Sequence, residues 1–200
     1  MSRYAMTGIA VLLSLSMVVA CNRSTDLPVT VESVKEMLPA LAEAGTAWRP
    51  DAYLARASVR LIDDGSASYL IWASFNSPTE EFESIAAKLL PDGTISVEPF
   101  VQTVPVVQVD PITEDLWQLD SQEALEIALD DEGMRFLEGS SGTECSSLVL
   151  ERLGFAPSAP VVWRLILSDC EHPANSQITV IDAMTGELIS RESDLPTSAP

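Results

Sequence analysis

Residues 161–190 read VVWRLILSDCEHPANSQITVIDAMTGELIS, and the fold hangs on this stretch. Val161 to Leu167 alternates: Trp163, Leu165 and Leu167 fall on one face, Arg164, Ile166 and Ser168 on the other, as in a half-buried strand. Ile178 to Asp182 repeats the pattern. Ala183-Met184-Thr185-Gly186 is a turn, with Gly186 where a positive φ is needed. Glu187 to Ser190 returns as a short strand. Upstream, Cys145 to Arg152 reads as a further strand, joined to Val161 by the connection Gly154 to Pro160.

Working outward, Tyr69 to Ser96 looks like a worn copy of the same design. Tyr69-Leu70-Ile71-Trp72 parallels Val161-Val162-Trp163, setting Trp72 against Trp163. Asp92-Gly93-Thr94-Ile95-Ser96 parallels Thr185-Gly186-Glu187-Leu188-Ile189-Ser190 with one inserted residue. A helical pattern precedes each copy. The first runs from Val31 to Ala44, with Thr30 as N-cap, Pro39 expected to kink or split it, and Gly45 to end it. The second begins at the capping box Asp120-Ser121-Gln122-Glu123 and continues to Leu129; after an interruption at Gly133, Met134 to Leu137 adds a turn.

Ala52–Ile62 and Ser68–Phe75 flank the turn Asp63-Asp64-Gly65-Ser66 as a hairpin. Ser77-Pro78-Thr79-Glu80 has the form of a helix start, yet the repeat favours a strand over Ile85 to Leu90. These elements predict an α+β fold of tandem helix-plus-antiparallel-sheet units. The expected divisions are a leader (1–20), a tether (21–29), an N-terminal unit (30–98), a proline-punctuated linker (99–115), a C-terminal unit (116–190) and a disordered polar tail (191–200).

Arg3 is the single charge before the apolar run Ile9 to Ala20, a run shorter than the ~20 residues a spanning helix needs. It ends Val18-Val19-Ala20-Cys21, which resembles a bacterial lipobox. The resemblance implies cleavage after Ala20 and a lipid thioether on Cys21, holding the protein to the cell envelope. Asn22 follows where an aspartate would resemble an inner-membrane retention signal, so in a cell with two membranes the outer one is expected. The whole chain carries formal charge −19. Losing residues 1–20 removes one of eleven basic residues and none of thirty acidic ones, leaving −20. Such a chain is repelled by nucleic acid and by anionic headgroups, so lipid rather than charge must hold it at the membrane.

Two cysteines then remain, and export favours a disulfide between Cys145 and Cys170. If they face each other across a hairpin, its turn centres between Pro157 and Ser158, and the same register pairs Arg152 with Trp163 and Val149 with Ile166. The competing reading is a metal site of Cys145, Cys170 and His172. His172 is the chain's one histidine, and no nucleophile-elbow or zinc-helix motif accompanies it. Asp63-Asp64, Glu80-Glu81 and Asp130-Asp131-Glu132 lack the alternating spacing of a calcium loop and read as solvated faces. Trp48, Trp72, Trp117 and Trp163 suit a core better than a ligand groove. No catalytic residues, metal or cofactor are assigned.

Residues 116–128 (LWQLDSQEALEIA), 162–165 (VWRL) and 180–188 (VIDAMTGEL) together resemble a PepSY-type domain. The likeness is good over 116–190 and weak over 31–97. It implies a helix on an antiparallel sheet, of PepSY-like or cystatin-like form, and a non-catalytic exported module that binds or restrains peptidases. By architecture alone there is a more distant likeness to tandem-repeat β-lactamase inhibitor proteins. The expected function is therefore binding, with an envelope protein as partner. The alternatives are a structural envelope lipoprotein and an exported hydrolase.

Overall fold

The computed structural model describes residues 29–61, 69–106, 108–140, 145–154, 156, 158–172 and 174–193. Cys21 and the turn at 63–66 lie outside the described residues. The elements are α1 (Val34–Trp48), β1 (Tyr53–Arg60), β2 (Ile71–Asn76), β3 (Glu83–Leu89), β4 (Ile95–Val101), α2 (Ser121–Ala128), α3 (Asp131–Gly139), β5 (Ser147–Arg152), β6 (Val161–Ser168), β7 (Ser176–Asp182) and β8 (Leu188–Ser193). A single 3₁₀ turn, Glu114–Leu116, precedes α2.

All eight strands form one antiparallel sheet in the order β4-β3-β2-β1-β5-β6-β7-β8. The two expected sheets are thus one, joined where β1 pairs with β5. The helices lie on one face. Val34, Leu38 and Leu41 of α1 and Ala124, Leu125 and Ala128 of α2 share a core with Ala57, Ile71, Phe75, Ile85, Leu148, Trp163, Leu165 and Ile181. Each fully buried Leu or Ile side chain contributes about 1.5–3 kcal/mol of transfer free energy.

The registers on either side of the centre correspond. Val59 pairs with Ile71 and Ile71 with Leu89; Leu150 pairs with Trp163 and Trp163 with Ile181. At the centre Ala57 faces Leu150, Val59 faces Leu148, and Ser58 faces Val149 between them. The position matching Trp163 is Ile71, not Trp72. Trp72 turns to the face opposite the helices, where it meets Phe100 edge-on at 6.4 Å. The sequence parallel was one residue out, and in a strand one residue reverses the face.

Other boundaries differ for local reasons. Ser33, not Thr30, caps α1, its side chain accepting from Glu36 N. Pro39 sits inside an unbroken helix on its exposed side. Gly45 does not end α1 but is buried in it. A Cβ there would stand 2.8 Å from Phe75 Cδ1, so glycine lets the helix press onto β2. Ser77 to Glu80 forms a turn, Glu80 N donating to Ser77 O at 3.1 Å, instead of starting a helix. The strand expected over Ile85 to Leu90 is β3, with Ile85, Ala87 and Leu89 in the core. β4 continues through Pro99 to Val101, and β8 reaches Ser193, taking in the first residues of the expected tail.

The N-termini of α1 and α2 meet and share their capping groups. Asp120 caps α2 in a full capping box, accepts from Lys35 N at 3.1 Å and takes the Ser33 hydroxyl hydrogen bond. Ser121 Oγ accepts from Val34 N at 3.1 Å and donates to Glu32 O at 2.6 Å. One carboxylate thus faces the positive ends of two helix dipoles.

Candidate functional site

The residues singled out in the sequence do not converge on one centre. Cys145 and Cys170 are joined in a disulfide, Cα–Cα 5.5 Å. The pairing is as expected but the register is not: Arg152 pairs with Val161 and Ser147 with Ile166, two residues from the predicted ladder. A two-residue slip preserves the face of every side chain, which is why alternation could not detect it. The cysteines then lie just beyond the paired residues, where Ser168 N donates to Ser146 Oγ at 3.1 Å.

His172 Nδ1 lies 3.2 Å from Asp169 Oδ2 and is otherwise exposed. Among the described residues no group of three or more His, Cys, Asp or Glu is arranged to hold a metal ion. Asp130 caps α3 and pairs with Arg191 at 2.6 Å. Glu80 pairs with Arg49, also at 2.6 Å. Trp117 and Trp163 are buried and edge-on at 6.0 Å, with Trp163 Nε1 donating to Leu119 O at 2.9 Å. Trp48 donates to Glu83 on another edge of the molecule. The tryptophans therefore line no common groove.

A different set does converge, on the sheet face opposite the helices. Arg56 of β1, Glu151 of β5 and Arg164 of β6 form a bridge. Arg56 Nε lies 3.3 Å from one carboxylate oxygen of Glu151, and Arg164 Nη2 lies 2.8 Å from the other. The bridge floors a groove of about 470 Å³, further lined by Ser74, Asn76 and Ser84, with Gln102 and Val106 at its side.

Two local devices build it. First, β1 carries a bulge between Leu54 and Arg56. Arg56 takes the face opposite the core by alternation with Ala57 and Val59, and the bulge lets Leu54, three residues from Ala57, enter the core as well. Second, the proline-punctuated stretch after β4 runs across the sheet end as a wall. Gln102 N donates to Phe82 O at 2.8 Å, Val106 N to Glu81 O at 2.6 Å and Ile112 N to Leu54 O at 2.9 Å. Arg152 pins the wall from β5 through Asp110 O at 3.0 Å and Pro111 O at 2.9 Å, and holds Ala159 O at 2.7 Å.

Charge sets this groove apart. Arg56, Arg152 and Arg164 are three of eleven basic residues in a chain with thirty acidic ones. Among the described residues Glu151 is the sole polar partner of Arg56 and Arg164. The Nε atoms of both arginines are buried without a hydrogen bond, because the 3.3 Å approach of Arg56 Nε is poorly aligned. Buried N–H groups of this kind call for an acceptor.

No protein-family model matches the chain, and no curated protein matches it. A solved fold does. The crystal structure of a candidate lipoprotein from Clostridium difficile 630 is similar with TM-score 0.50 and 10% identity, covering 78% of this chain and 91% of that one. At that identity the likeness is one of fold. The resemblance to PepSY-type domains finds no family model behind it. No helix among the described residues is long and apolar enough to cross a membrane.

The sequence reading placed Arg164 on the outer face of its strand but missed the site. The signal available was the arginines of three strands of an acidic chain, Arg56 and Arg60 in β1, Arg152 in β5 and Arg164 in β6. What hid the site was the long-range pairing of β1 with β5, which alone brings Arg56 beside Glu151 and Arg164.

Proposed function

We propose that the mature protein is a non-catalytic, lipid-anchored module of the cell envelope that acts by binding a partner at the open face of its sheet. The observation that carries this reading is the groove around Arg56, Glu151 and Arg164: a shaped concavity on an acidic molecule, with three arginines against one glutamate in its lining. The Val18-Val19-Ala20-Cys21 junction supports the anchor, and the Cys145–Cys170 disulfide fits an exported protein. The similar fold is that of a candidate lipoprotein, which fits the anchor. We extend the reading to a PepSY-like unit over 116–190 with a diverged copy over 30–98, supported by the corresponding ladders on either side of Ser58 and Val149.

The test is crosslinking in intact cells with a photoreactive residue replacing Gln102 at the groove rim, compared with one replacing Glu43 on the exposed side of α1. A discrete envelope partner captured from the rim position alone is expected. Capture from Glu43 alone, or a hydrolase activity lost in a carboxylate variant, would contradict binding at the groove.

A further inference from the structure

We propose that the groove is a binding site for a small molecule bearing a single carboxylate, read by Arg56 and Arg164 in the presence of Glu151. The proposal deepens the binding function above and rests on it. Three features point to this chemistry. The first is charge balance. Arg152 spends its guanidinium N–H groups on the carbonyl oxygens of Asp110, Pro111 and Ala159, so the groups left to meet a ligand are two guanidiniums and one carboxylate, an excess of one positive charge. A monoanion matches that excess.

The second is geometry. The arginines already hold a carboxylate between them, one oxygen each, so the floor presents carboxylate-matched donors. Glu151 occupies only one edge of each guanidinium. The Arg56 and Arg164 side chains keep 42% and 31% of their surface open. A second carboxylate enters on that open side.

The third is size and lining. A volume of about 470 Å³ falls in the range of small-molecule sites, ~300–1,000 Å³. The flanking side chains Ser74, Asn76, Ser84 and Gln102 are neutral and polar, suited to hydrogen-bonding the uncharged remainder of a ligand. Two sources share this chemistry: the free C-terminus of a short peptide, and a sugar acid.

Isothermal titration on the mature, disulfide-intact protein separates them. The probes are N-acetyl-trialanine, its C-terminal amide, glucuronate and inorganic phosphate. Saturable binding is expected for the free peptide acid or for glucuronate, and whichever binds names the source. The amide should bind at least ~10-fold more weakly than the acid if the peptide is the ligand. Arg164→Gln should weaken binding ~10-fold or more, and Arg56→Gln should act alike. Glu151→Gln removes the resident competitor and should tighten it. Each variant is checked for an unchanged melting transition, with Arg164→Lys as the substitute if Arg164→Gln unfolds.

No saturable binding of either acid by the folded protein overturns the proposal. So does phosphate binding as tightly as the carboxylates, or affinity indifferent to Arg164. These failures leave the envelope crosslink untouched, so the site's ligand class and the binding function fall separately.

Discussion

At the scale of single residues, Gln177 is the least explained group in the core. It is 1% exposed, and among the described residues neither atom of its side-chain amide has a partner. It pairs with Leu167 as Ile85 pairs with Phe75, so the corresponding position holds a hydrocarbon. Buried amides without partners cost about 1–3 kcal/mol each. Gln177→Ile is therefore expected to stabilise the protein by roughly 1 kcal/mol, seen as a higher urea midpoint at unchanged slope; a lower midpoint would mean the amide has a role. Asp130 gives a pH signature. Burial pushes its carboxyl up. The Arg191 guanidinium and the N–H groups of Gly133 and Glu132 outweigh burial and hold it below the ordinary value of 3.8. A carboxyl depressed in the folded state adds stability that is complete above the unfolded value and is lost as pH falls through the folded one. Amide protection at Glu132 and Gly133 should therefore fall as the pH drops below about 4, and Asp130→Asn should lose that dependence.

At the scale of elements, the contact between α1 and β2 decides how closely helix and sheet approach. Gly45→Ala improves helix propensity by about 1 kcal/mol but drives a methyl into the Phe75 ring near its root, where it cannot swing aside. Overpacking of this kind costs about 1–3 kcal/mol, so net destabilisation is expected in equilibrium unfolding. Phe75→Leu in the same chain should recover part of it. Gly45 also illustrates what was legible. The first two helices, the capping box at Asp120 and the strands β6 and β7 were readable, because periodicity and caps are local, whereas β3 was legible only through the internal repeat, against a local helix-start signal. What escaped were the features set by a neighbour. Gly45 resembled a stop signal and proved to be a close contact. Trp72 resembled a core tryptophan and sits on the outer face. The β5–β6 register slipped by two, and the pairing of β1 with β5 that brings Arg56 beside Glu151 left no mark in composition.

At the scale of the whole molecule, one sheet is covered by helices on one face and open on the other, and a disulfide ties the neighbouring ends of β5 and β6. Cys145 and Cys170 are separated by 25 residues. Closing a loop of that length stabilises by about 3–4 kcal/mol in the chain-entropy model. For a protein of this size, reduction should lower the melting temperature by roughly 10 °C, and Cys145→Ser should match the reduced wild type. An unchanged transition on reduction would separate the disulfide from stability. The central claim is an exported module tethered by lipid at its N-terminus, since a chain of this negative charge has no electrostatic hold on an anionic membrane. The direct measurement is the intact mass of the N-terminal fragment of the protein extracted from its own envelope. The account predicts a chain beginning at Cys21 with a lipid thioether on its sulfur. A chain retaining Met1, or one with a free thiol at Cys21, would contradict it.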